Sequence, residues 1–294
     1  MRILVTGYTG QLGFDVVNEL IRRGIEAKGV SSKELDITDK QAVFDMLTEY
    51  KPDAVIHCAA WTNVDGAEDA DNKEKVYSIN ALGTRYIAEA CRQIDCKMLY
   101  ISTDYVFNGN GAEPWKPDCK EYAPLNYYGE TKLQGELAVF ETLTKFFIVR
   151  IAWVFGINGK NFVKTMLNVG KTHDTVRVVN DQIGTPTYTF DLAKLLCDII
   201  FTEKYGYYHA TNEGGYISWY DFCKEIYRQA GINAKLVSVS TEEYGVSKAK
   251  RPHNSRLDKS KLAENGFNPL PDWKDALNRY LIEIGEIKRK KSCT

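Results

Sequence analysis

Hydrophobic positions recur along the first half of this chain in two alternating periods. Short β-branched runs at residues 3–6, 26–30, 54–57, 97–102 and 146–150 read as strands. Between them, residues 12–23, 40–50, 74–94 and 131–143 carry apolar residues three and four apart, the spacing of amphipathic helices. Alternation of this kind predicts an α/β fold: a doubly wound parallel sheet with helices on both faces. Past residue 155 the pattern loosens. It predicts helices at 161–170, 189–202, 218–230 and from 273 to about 286, strands at 175–179 and 207–211, and Ser218 as an N-cap. We therefore expect a parallel-sheet domain over 1–155 plus roughly 181–213, a smaller α+β portion over 156–180 and 214–286, and a basic tail at 287–294.

Composition narrows the classes. With 38 basic and 39 acidic residues, the net charge is −1, so nothing draws the chain to nucleic acid or an anionic membrane. No apolar run has the length of about 20 residues that crosses a bilayer. Residues 1–13 lack a signal peptide's apolar region. The 7 cysteines are scattered and unpaired in spacing, which fits reduced thiols and a cytoplasmic protein. Its 4 isolated histidines have no metal-ligand spacing, and no metal is expected.

Three stretches carry chemistry. Gly7, Gly10 and Gly13 form Gly-x-x-Gly-x-x-Gly between the first strand and first helix. There, glycines let the chain turn tightly and a pyrophosphate approach the backbone at a helix N-terminus, the Rossmann device. After the second strand comes Ser31-Ser32-Lys33, without a carboxylate until Glu34. Hydroxyls and a lysine suit a 2′-phosphate, so Ser31 and Lys33 favour NADPH, with NADH the lesser choice; Asp36 and Ile37 fall where an adenine would lie. Tyr128 and Lys132 stand four apart, on one face of a helix, where an ammonium would pull a phenol's pKa of about 10 downward for proton transfer. Thr103 closes a hydroxyl-rich strand end, Ser102-Thr103-Asp104, where it can hydrogen-bond a substrate carbonyl. Trp61, Trp115, Trp219 and Trp273 read as packing residues. The segment 181–187 fits a loop at the site mouth and a simple crossover equally well.

The combination resembles the extended short-chain dehydrogenase/reductase superfamily, and within it the dTDP-4-dehydrorhamnose reductase family. The matching segments are GYTGQLG (7–13), AVIHCAAWTNVDGAE (54–68), STDYVFNG (102–109), PLNYYGETKLQGE (124–136), RIAWVFG (150–156), GKNFVKTML (159–167), VNDQIGTPT (179–187) and RPHNSRLDKSKL (251–262). The resemblance implies NAD(P)H-dependent reduction of the C4 keto group of dTDP-4-dehydro-6-deoxy-L-mannose. It implies Tyr128 as proton donor, Lys132 as its partner and a ribose ligand, and Thr103 orienting the carbonyl beside Asp104. Gly10, Gln11 and Leu12 match the phosphate loop, and Ala59, Ala60 and Thr62 the run along the cofactor. Trp153 matches an aromatic that packs on the substrate, with Asn180, Arg251 and Asn254 on the nucleotide side. It also allows a homodimer, although the surface carboxylates that link some members through magnesium are not located in this sequence. Where some members carry an aspartate, this chain has Val30-Ser31. Two alternatives remain at this point: a related nucleotide-sugar epimerase or dehydratase, and a non-catalytic dinucleotide-binding regulatory subunit.

Overall fold

The computed structural model describes residues 1–288. Five strands, β1 (Arg2–Thr6), β2 (Glu26–Val30), β3 (Ala54–His57), β4 (Lys97–Thr103) and β5 (Phe146–Ile151), join a sixth, Gly206–His209. The order is sixth–β5–β4–β3–β1–β2, and every pairing is parallel. Between β1 and β3 the direction of strand succession reverses. A crevice opens there beyond the carboxyl ends, the place where ligands bind in open parallel sheets.

Period-two alternation sends successive side chains to opposite faces. Ile3, Val5, Ile56, Leu99 and Phe147 pack under helices α1 (Gln11–Arg22) and Thr189–Ile200, through Val16, Leu20, Leu192 and Leu196. Leu4, Val55, Met98 and Ile148 pack under α2 (Lys40–Tyr50), α4 (Thr84–Gln93) and α5 (Tyr127–Thr142). The amphipathic stretch 74–94 is three pieces: a short α3 (Lys73–Tyr77), a π-helical turn Ser78–Gly83, and α4. Helix α5 starts at Tyr127, earlier than the apolar period shows. Its start is set by a polar residue: Asn126 accepts from Gly129 N at 2.8 Å.

A wholly buried ion pair fixes α5 against the sheet. Arg150 of β5 donates to Glu136 from Nε (2.8 Å) and Nη2 (2.7 Å), and to Pro117 O at 3.0 Å. Breaking one partner would strand the other charge, at a cost of roughly 3–5 kcal/mol.

A second layer stands over the carboxyl ends. Helices Phe162–Thr172, Trp219–Ala230 and Trp273–Glu283 bury Val163, Leu167, Phe222, Ile226, Leu277 and Tyr280 around Phe155. Strand Thr175–Val179 pairs in parallel with Lys235–Val239. Ser218 caps its helix in a reciprocal box with Asp221. The last helix ends at Glu283, short of 286, and the tail beyond residue 288 lies outside the described residues. Among the described residues, no helix is long and apolar enough to cross a membrane, and no three His, Cys, Asp or Glu side chains gather as a metal site.

Candidate active site

One continuous cavity of about 1270 Å³ runs along the carboxyl ends of β2, β1, β3, β4 and β5. It exceeds the roughly 300–1,000 Å³ of an ordinary small-molecule pocket, which leaves space for two ligands side by side. Its floor is backbone. Gly7 has φ +71°, and a Cβ there would lie 2.7 Å from Ala59 N across the strand switch. A Cβ on Gly13 would lie 2.3 Å from Gly7 O. Gly10 caps α1 without a side chain, leaving the first-turn N–H groups for an anion. Gly7, Gly10, Gln11, Leu12, Gly13, Ala59, Ala60 and Thr62 all line this part. Gln11 is fixed by Asn161, which donates to its Oε1 at 3.0 Å.

At the far end, Ser31, Ser32, Asp36 and Ile37 line the wall. Lys33 does not; its side chain is exposed, and only its N–H turns inward, to Ser31 Oγ at 3.2 Å. The donors of Ser31 are already engaged. Its N–H (2.8 Å) and its hydroxyl both donate to Glu34 Oε2. The serine and lysine are thus placed differently: a carboxylate of the same turn holds Ser31 in the wall, and the Lys33 side chain is exposed outside it.

The reactive corner forms where β4 meets α5. Thr103 Oγ1 donates to Asp104 Oδ1 at 3.0 Å, while Asp104 Oδ2 has no partner. Burial pushes the Asp104 carboxyl up to about 6, against the hydrogen bonds of neighbouring hydroxyls. Tyr128 enters from the first turn of α5, its ring edge-on to Tyr105 at 5.7 Å. Lys132 follows one turn on and is 3% exposed, donating from Nζ to Ile101 O at 2.7 Å. Burial lowers its pKa to about 7, with Glu136 opposing. Thr103, Asp104, Tyr128 and Lys132 all line the cavity. One expectation reverses here: the Tyr128 phenol stands above its ordinary value. Removal from water and the nearby Asp104 carboxylate raise it, and the Thr103 hydroxyl only partly offsets them.

Beyond this corner the wall is made of side chains from distant segments. Trp153 sits after β5 at φ +52°, a left-handed conformation that side chains rarely adopt. Its ring stacks on Trp219 at 3.7 Å and 14°. Both tryptophans line the cavity, so Trp219 is wall as well as packing. The sequence hid this, because Trp219, Phe222, Cys223 and Ile226 share one helical stripe and read as core. Arg251 also lines the cavity, donating to Asp65 Oδ2 at 2.8 Å and Tyr105 Oη at 3.2 Å.

Asn180 and Asn254 stand apart from the wall. Asn180 is exposed and bonds Ser238 Oγ, and its N–H donates to Val239 O at 3.0 Å. Asn254 is buried and consumed in bracing, donating to Asn110 O (3.2 Å) and Glu113 O (2.8 Å) and accepting from Arg256. Segment 181–187 is braced and backs the wall: Ile183–Gly184 pairs with Ile217–Ser218, Asp181 accepts from Thr241, and a Cβ at Gly184 would lie 2.8 Å from the Trp153 ring.

Comparison with known proteins follows this geometry. The family described as RmlD substrate binding domain matches residues 1–285. A dTDP-4-dehydrorhamnose reductase of Streptomyces griseus is 40% identical over 282 residues, covering 94% of this chain and 91% of the relative. The crystal structure of the Bacillus anthracis str. Ames dTDP-4-dehydrorhamnose reductase in complex with NADP superposes with a TM-score of 0.91. It has 41% identity and covers 96% of this chain and 99% of that one. The Clostridium acetobutylicum structure of a dTDP-4-dehydrorhamnose reductase gives a TM-score of 0.92 at 42% identity, covering 97% and 99%. With the glycine floor, the Thr–Tyr–Lys corner and whole-length likeness in agreement, the chain belongs to the RmlD substrate-binding-domain family, that of the dTDP-4-dehydrorhamnose reductases.

Proposed function

We propose that this chain is an NADPH-dependent reductase, able also to use NADH, that converts the C4 keto group of dTDP-4-dehydro-6-deoxy-L-mannose to the alcohol of dTDP-L-rhamnose. The observation that carries the reading is the meeting of Thr103, Tyr128 and Lys132 in the cavity that begins at the glycine floor. A Cβ at Gly7 or Gly13 would collide with backbone, so the loop needs glycine there, and the α1 N-terminus it brings to the cavity suits a pyrophosphate. When bound, reduced nicotinamide supplies the hydride that C4 receives. Thr103 hydrogen-bonds the carbonyl oxygen and sets its orientation. Tyr128 gives its phenolic proton to that oxygen as the C–H bond forms. A phenol with a raised pKa is protonated at neutral pH, the form a donor needs. The Lys132 ammonium stabilises the phenolate left behind and holds the nicotinamide ribose. Arg251 meets the nucleotide's diphosphate, and the Trp153–Trp219 pair packs on the sugar or base. By the family resemblance and the scattered cysteines, we place the enzyme in the cytoplasm, as a homodimer.

Oxidation of NADPH followed at 340 nm, with the 4-keto sugar nucleotide generated in situ, tests this. Turnover is expected with NADPH and, more weakly, NADH. Tyr128→Phe should lower kcat by about 10²–10⁴-fold. No turnover with either cofactor, despite tight dinucleotide binding, would sink the reading and favour a non-catalytic subunit. One observation favours the dehydratase alternative, the buried Asp104 carboxyl beside Thr103, which burial raises to about 6. Water loss from a 4-hydroxy sugar nucleotide, with oxidised cofactor supplied in place of NADPH to accept the C4 hydride, would establish it.

A further inference from the structure

Tyr100 is fully buried, lies behind the cavity wall, and has no part in the chemistry above. Yet its ring lies directly against the lysine's charge: Lys132 Nζ stands 4.1 Å from the ring centroid, over its face. An aromatic face is negative and attracts a cation, most strongly where water is excluded. Lys132 is 3% exposed, and its hydrogen-bond acceptor is Ile101 O at 2.7 Å. We propose that Tyr100 is a positioning residue for Lys132, its ring face keeping the buried ammonium charged and aimed into the cavity. The inference rests on the reductase reading for the purpose of that charge.

The ring is fixed on several sides. His57 stacks on it at 5.6 Å and 21°, itself held by Thr6 Oγ1 on Nδ1 (2.6 Å) and Thr84 Oγ1 on Nε2 (3.1 Å). Tyr100 Oη donates to Lys132 O at 3.3 Å, tying the ring to the backbone of the lysine it supports. Gly135 makes this contact possible, since a Cβ there would lie 2.4 Å from Tyr100 Oη. That accounts for a glycine in the middle of α5, where it weakens the helix by about 1 kcal/mol relative to alanine.

The charges around Lys132 leave the ring a role. Glu136, one turn along α5, is matched by Arg150 of β5. Cys58, after β3, is a neutral thiol that burial pushes up to about 12. His57 is neutral, pushed down to about 3 by burial and by Lys132 itself. Tyr128, a turn earlier, is a neutral phenol, and Asp104, at the end of β4, is a buried carboxyl raised to about 6. Burial alone drives Lys132 toward the neutral amine.

The test compares Tyr100→Phe, which keeps the aromatic face and loses only the hydroxyl, with Tyr100→Leu and with pentafluorophenylalanine at position 100. The fluorinated ring keeps the approximate shape but reverses the sign of the face, so it carries the test if Tyr100→Leu fails to fold. The readouts are the Lys132 Nζ titration by ¹⁵N NMR in cofactor-free protein and the alkaline limb of kcat/KM against pH. Tyr100→Phe should leave both in place. The leucine and fluorinated variants should move both to lower pH by about one unit, a tenfold loss of ammonium on the alkaline side. At pH below the limb, the rate should return. Folded variants whose Lys132 titrates as in the unmodified protein would overturn the proposal. Because that titration needs no substrate, a shifted Lys132 without turnover would sink only the reductase reading.

Discussion

The two ends of the cavity are built in different ways. The glycine end is backbone: three glycines within seven residues, one strand end, one helix start, with Ala59 close by across the strand switch. The tryptophan end is side chain: Trp153, Trp219 and Arg251 come from three segments spread over nearly a hundred residues and line one cavity only in the folded molecule. A backbone site tolerates almost no added atoms but depends on little beyond its own loop. A side-chain site can be retuned residue by residue, and it depends on the packing of the whole molecule. On the proposed reading, the first end would hold the cofactor and the second the sugar nucleotide.

The largest test of this contrast is Gly13→Ala. Its new methyl would lie 2.3 Å from Gly7 O, a backbone atom that cannot step aside. NADPH affinity, read by fluorescence titration, should fall about 100-fold, equivalent to roughly 3 kcal/mol. Unchanged affinity would refute the rigid-floor account.

Next comes Asp104, between the two ends. Its folded pKa of about 6 lies above the ordinary 3.8, so the native state holds the proton more tightly than the unfolded chain. Stability must then fall as pH rises from about 4 through about 6, and stay reduced above it. Asp104→Asn removes that penalty. It should raise stability at pH 7.5 by about 2 kcal/mol in denaturant unfolding, with no gain at pH 3.5, while turnover drops. An equal gain at both pH values would mean packing, not the charge, is responsible.

Trp219→Ala should raise KM for the sugar nucleotide about tenfold and leave KM for NADPH untouched. A parallel rise in both would show that the tryptophan pair supports the whole cavity. The smallest effect belongs to Glu34→Gln. Freeing the Ser31 donors from a charged competitor should improve KM for NADPH about threefold, with KM for NADH unmoved. An equal change for both cofactors would remove Glu34 from the choice between them.

How far the sequence could be read follows the same division. The strands and the helices beneath the sheet were legible because burial on one face imposes a period of two or 3.6, whatever the partners are. The glycine loop was legible because only glycine meets its steric demand. Tyr128 and Lys132 were legible because a helix makes i and i+4 neighbours by local geometry alone. The sign of the Tyr128 shift was not. It depends on Asp104 and on exclusion of water, neither of which is local to α5. The start of α5 escaped the apolar pattern because Asn126 sets it by a polar cap.

Local rules thus determined the fold class, the glycine floor and the placement of Tyr128 and Lys132 on one helix face, since each follows from covalent geometry and near neighbours. Tertiary structure alone decided that Trp219 faces Trp153 from its apolar stripe and that Asn254 braces a loop. It also set the Tyr100 ring beneath the Lys132 charge. The physical reason is that burial, aromatic stacking and charge compensation act through space, between residues whose separation along the chain carries no trace of the contact.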